Sequence, residues 1–131
     1  MLQDDWLLRQ LNRFALGVAE LVAGGAVTED EDIEEECEAI LGAPVEVFEA
    51  MRVPSLLSMF PVVDASSERR AVALAVGLAQ RAADLGDDGD PARRRALALL
   101  DTLADADREL TDELTALREA LVHRLGGIEP S

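Results

Sequence analysis

Apolar residues that recur every three or four positions, with no stretch alternating every second position, constrain this chain more than any other feature. Between residues 5 and 24, Leu7, Leu11, Phe14, Val18 and Leu21 form one stripe, widened by Leu8, Ala15 and Val22. Arg9, Gln10, Asn12, Arg13 and Glu20 take the opposite side, as in an amphipathic helix that buries one face. Trp6 and Leu16 project away from the stripe. Asp4 and Asp5 stand at the positive end of the helix dipole, and Gly24-Gly25 ends the segment.

The same period returns along the chain. Thr28-x-x-Glu31 has the form of a capping box and predicts a second helix with Ile33, Cys37, Ile40 and Leu41 on one face, ending at Gly42. Ala43-Pro44 opens a short third helix, with proline at its first position and Val45, Phe48 and Met51 on its buried side. Val53 to Val63 reads either as a short helix from Pro54 to Phe60, stopped by Pro61, or as an irregular crossing segment. Ser66 or Ser67 caps the next helix, which runs to about Leu85 and offers Val72, Leu74, Ala75, Leu78, Ala79 and Ala82 for packing. Gly86 to Gly89 is a turn, and Asp90-Pro91 supplies an N-cap followed by proline. Leu97, Leu100 and Leu103, with Leu99 beside them, form the next buried stripe. It meets Asp107, which predicts a break near residues 104–107, although one long helix over 92–125 is the alternative. Leu110, Leu114, Leu117, Leu121 and Leu125 carry the final helix to Gly126-Gly127. The expectation is a single all-α domain over 1–131, built from antiparallel helical hairpins with about six to seven helices. Its parts are an N-terminal hairpin at about 5–42, a short-helix crossing at 44–63 and C-terminal helices over 66–125.

A chain of 131 residues is long enough to bury a core without disulfides or metals. Aromatic residues are only 3% of it while hydrophobic residues are 49%, so the core is aliphatic. All 12 basic residues are arginine, which together with the alanine content resembles a GC-rich coding bias. The net charge is −15 and is uneven: residues 1–61 hold 13 acidic and 3 basic side chains, residues 62–131 hold 14 and 9. So negative a surface opposes nucleic acid, whose binding needs cations against phosphates, and opposes anionic membranes. No nucleic-acid or membrane partner is expected. The longest uncharged run, Val53 to Val63, is about half a membrane span. Cys37 is alone and can form no internal disulfide, and the first residues are acidic where a signal peptide is basic. A cytoplasmic location is the expectation.

Two resemblances bear on the fold. Leu78-Ala79-x2-Ala82-x3-Gly86 is similar to the first helix of a tetratricopeptide repeat, and Ala96-x3-Leu100-x2-Leu103 to its second, with Asp87 to Pro91 as an insertion and aliphatic residues at the aromatic positions. Gln3-Asp4-Asp5-Trp6-Leu7-Leu8-Arg9-Gln10-Leu11 resembles the opening helix of an uncharacterised bacterial family of small tetratricopeptide-like proteins. An acidic helix ending in Leu41-Gly42, a short-helix region and a hairpin follow in the same order, to about residue 106. The resemblance implies a tetratricopeptide-like fold and no particular activity. The alanine and arginine richness and the extra C-terminal helix depart from it.

Candidate chemistry is sparse. Eight of the ten residues from Glu29 to Glu38 are acidic, but a carboxylate metal site on helices needs ligands converging from several helices, usually with a Glu-x-x-His pair. The one histidine, His123, has no glutamate three residues before it. The run reads as a solvated helix face. Registering Asp84 to Arg95 as a calcium loop puts Gly89 correctly at the sixth position, yet Gly86 at the third and Arg95 at the twelfth, where a bidentate glutamate is required. Arg93-Arg94-Arg95 at a helix start is flanked by Asp87, Asp88 and Asp90 and reads as a local salt-bridge cluster rather than an anion site. Cys37 sits among Glu34, Glu35, Glu36 and Glu38, which oppose a reactive thiolate. No catalytic, cofactor or metal residue is assigned.

Functional expectation therefore rests on surfaces. Met51 to Phe60 is apolar, methionine-bearing and flanked by prolines, properties of adaptable binding surfaces as well as of a flap over the core. The leading expectation is a non-catalytic protein-interaction module, self-associating or not, with Trp6, Leu16, Met51, Leu56, Leu57, Met59 and Phe60 as the candidate surface. The alternative is an acidic, chaperone-like or inhibitory partner of a basic protein, using the Glu29–Glu38 run; an enzyme or metal protein is the least supported.

Overall fold

The structure is a computed structural model that describes residues 2–22, 33–61, 64–105 and 110–126. Among those residues there are seven α-helices, one 3-10 turn and no strand. In order they are α1 (Leu2–Val22), α2 (Ile33–Leu41), α3 (Val45–Glu49), α4 (Val53–Met59), α5 (Ala65–Leu85), the 3-10 turn Gly86–Gly89, α6 (Asp90–Asp105) and α7 (Asp112–Gly126). No helix of the described residues is long and apolar enough to cross a membrane.

The architecture is organised around α5. All ten residues from Ala71 to Gln80 are buried, because α1, α2 and α6 pack along α5 and α3 touches it as well. Alanines make this enclosure feasible: Ala71, Ala73, Ala75, Ala79 and Ala82 let neighbouring helices approach closely on every side. Gly77 is the extreme case. A Cβ there would stand 2.9 Å from Val45 Cγ2 and 3.3 Å from Cys37 Cβ, so the space a side chain would take is filled by α2 and the start of α3. The expected stripe on this helix is present, but burial extends around its whole circumference.

α7 closes the bundle against α1 and α6. Leu114, Leu117 and Leu121 meet Leu11, Ala15, Val18, Val22, Leu99, Leu100 and Leu103 in one core, each fully buried leucine contributing about 1.5–3 kcal/mol. Residues 92–125 thus form two helices rather than one. Thr111 starts α7: its Oγ1 accepts from Leu114 N–H at 3.2 Å and donates to Asn12 Oδ1 at 2.9 Å, fastening the helix start to α1. Consecutive helices pair as hairpins in α5 with α6 and α6 with α7, whereas α1 packs chiefly on α7 and next on α5, and α2 packs on α5.

Several local expectations are corrected. The cap of α5 is Asp64, not Ser66 or Ser67: its Oδ1 accepts from Ser67 N–H at 2.8 Å, and its own N–H donates to Ser67 Oγ at 3.0 Å. Ser67 is thus the reciprocal member of a capping box. Pro44 is the N-cap of α3 rather than its first helical residue. Asp90 is already helical (φ −57°, ψ −41°), since the 3-10 turn runs straight into α6; the chain reverses at Gly86, at φ +66°. Leu97 is only half-buried, while Ala92 and Ala96 join Leu99, Leu100 and Leu103 inside. Leu21 is half-buried, and Ala19 is buried in addition to the expected stripe. Gly42 ends α2 at φ +79°, a conformation that suits glycine. The expected start of the second helix at Thr28 lies outside the described residues.

Candidate functional site

Of the two readings of Val53 to Val63, the short helix is the one formed: α4 begins at Val53-Pro54, with Arg52 as N-cap and Phe60 as C-cap. The helix and its flanks are held at both ends. Leu56 and Phe60 are fully inside the core, and the Phe60 ring meets Phe48 of α3 edge-on, with centroids 5.4 Å apart and planes at 72°. Arg70 of α5 lies over the same ring, its Cζ 5.2 Å from the centroid. Arg95 of α6 donates from Nε to Met51 O at 2.7 Å, tying the start of the segment to α6. α3 is fastened separately, by ion pairs from Arg81 to Glu49 and Glu46 and by Glu38 Oε2, which accepts from Val45 N–H at 2.8 Å.

This anchoring divides the candidate surface. Leu56 and Phe60 are consumed by the core and are not available to a partner. Met51 and Leu57 are half-buried and pack against the core edge. Met59 is outside, 52% exposed, with Pro54, Ser55, Ser58 and Pro61 exposed around it. On α3, Val47 is equally exposed at 52%, a residue that sequence reasoning did not single out. Each of these two side chains neighbours one of the paired phenylalanines in sequence, so the inward turn of the ring directs the adjacent residue outward. Leu16 of α1 is 45% exposed. Trp6 lies within α1, but its side chain is outside the described residues.

The remaining chemical candidates have structural employment or stand at the surface. Cys37 is fully buried against Gly77. Glu35 and Glu36 are exposed, and Glu38 is partly buried on the α3 amide. His123 is exposed in the last turn of α7. Arg93, read from sequence as part of a local salt-bridge cluster, pairs with Asp90 and is 2% exposed. Its Nη2 donates to Gly86 O at 2.7 Å and Ala82 O at 3.3 Å, and its Nη1 to Asp90 at 2.7 Å. A cation on the last carbonyls of α5 complements the negative end of that helix. Arg94 is exposed, and Arg95 spends its donors on Met51 O and Pro91 O. Among the described residues, no three histidine, cysteine or acidic side chains come together as metal ligands would.

Comparison with protein-family models, with curated proteins and with solved structures finds no match to this chain.

Proposed function

We propose that the protein is a non-catalytic protein-interaction module that presents the short-helix region α3–α4 to a protein partner. The observation that carries this reading is the exposure of Val47 and Met59, the two most exposed large apolar side chains among the described residues, each next in sequence to one of the two phenylalanines whose rings meet edge-on. Rigid seating below and flexible apolar side chains above lower the ordering cost of binding and suit an adaptable contact. The hairpin of α5 and α6 supports the tetratricopeptide-like description, because Leu78, Ala79, Ala82, Ala96, Leu100 and Leu103 all meet in the core. A cytoplasmic setting in a bacterium belongs to the same reading.

Photo-crosslinking in the producing cells tests it. A photoreactive side chain at Met59 is expected to capture a protein, and one at the exposed Glu119 of α7 is not. Equal yields from the two positions would sink the proposal. A second reading, an acidic partner for a basic protein, draws on exposed Glu35, Glu36 and Glu46. It ends if replacing the Glu29–Glu38 acids by Gln and Asn leaves every captured protein bound.

A further inference from the structure

We propose that the outer face of α1 is a self-complementary interface through which two copies of the chain pair as an antiparallel, two-fold dimer. The inference rests on the reading of the protein as a binding module and names one partner, a second copy. Arg13, Leu16 and Glu20 follow one another at spacings of three and four and are all exposed, so they form one stripe turned away from the core. Gly17, half-buried, adjoins that stripe in the interior of a 21-residue helix. A glycine there weakens the helix, and it leaves no side chain to obstruct a close approach from outside.

In a two-fold antiparallel pairing of α1 helices, facing positions have numbers that add to a constant. An axis passing between residues 16 and 17 sets Leu16 against Gly17 of the second copy, and the reverse. The same axis sets Arg13 against Glu20 of the second copy, again twice. Knob, hole and both countercharges therefore come from four positions on one side of one helix, and symmetry duplicates each contact. No other partner is needed to supply any of them. Repulsion between two chains of net charge −15 opposes the pairing. At physiological ionic strength the screening length is about 8 Å, so the charges remote from the contact are damped more than the apposed Arg13 and Glu20. A small interface of this kind fits a weak dimer, with a dissociation constant of about 1–100 µM.

The test is light scattering and sedimentation on the full chain from about 5 to about 500 µM, spanning that range. The expected result is a mass rising from monomer to dimer. Leu16→Asp, and Leu16→Gln as a milder variant, should keep the chain monomeric with its circular dichroism unchanged. Arg13→Glu and Glu20→Arg should each weaken the dimer about tenfold, and the two together should restore it, the signature of a direct pair. A monomer at every concentration overturns the inference. So does a dimer indifferent to all of these substitutions, which would place the contact elsewhere. Neither result touches the α3–α4 reading, which the crosslinking at Met59 decides separately.

Discussion

Replacing Arg93 by methionine isolates the contribution of a buried cation to the α5–α6 turn. Methionine keeps the unbranched stem, its apolar volume and its helix propensity, and removes only the guanidinium. Three hydrogen bonds are lost, of unequal weight. Ala82 O still accepts from Gly86 N–H, so its loss is partial. Gly86 O loses its 2.7 Å donor, and a bond from a charged donor is worth about 1.5–3 kcal/mol. Asp90 keeps access to water, with 31% of its side chain exposed, and its pairing adds roughly 0.2–1 kcal/mol after screening. Against these, Arg93 Nε is buried with no acceptor, so the wild type carries a desolvation cost, on the order of 1 kcal/mol, that methionine removes. The balance is a loss of about 2 kcal/mol. With a urea dependence of about 2 kcal/mol per molar for a domain this size, the midpoint should fall by about 1 M. Arg94→Met, at an exposed neighbour, should change stability by less than about 0.5 kcal/mol. Equal midpoints for Arg93→Met and wild type would refute the argument that this guanidinium holds the helix end.

Other substitutions probe separate contacts. In Gly89→Ala the new Cβ would stand 2.3 Å from Ala82 O and 2.8 Å from Ala82 Cα. Because those atoms are backbone and cannot rotate aside, thermal unfolding should show a loss of about 1–3 kcal/mol where alanine ordinarily stabilises a helix. Asp64→Ala removes the cap of α5 and its reciprocal bond with Ser67, and should cost about 1 kcal/mol in urea melts, with most of it recovered by Asp64→Asn. Glu38→Met strips the acceptor from the Val45 amide and should destabilise by about 1–3 kcal/mol, while Glu36→Gln on the same helix should be nearly neutral. A comparable loss from both would mean that the acidic helix acts through its net charge rather than through one capping bond.

Much of the candidate surface was not legible from sequence, and the reasons are specific. Met51 to Phe60 reads as one apolar run, and such a run cannot say which flank turns inward. That depended on Phe48 arriving beneath Phe60, and it left Met59 outside while Leu56 went in. Val47 gave no signal at all, being one valine of two in a five-residue helix. Leu16 was legible as an outward residue because α1 is long enough for its stripe to define a back face. The salt bridge expected near the turn forms between Arg93 and Asp90, but the burial of Arg93 was not legible, because the carbonyls that draw it inward belong to the end of another helix.

What the sequence determined by itself is local and periodic. The helical class, the boundaries at Gly42 and Pro54, and most of the buried faces of α1, α6 and α7 follow from spacings within a single helix, where backbone geometry fixes which side chains share a side. Tertiary structure alone decided which helix became the centre. An alanine-rich segment with one ordinary stripe turned out buried on every side, because its small residues and Gly77 admit three long or medium neighbours at once. The same packing chose Glu38 from eight neighbouring acids to cap α3, seven residues away. Such choices depend on contacts between segments far apart in the chain, and the free energy of those contacts is written in no local pattern.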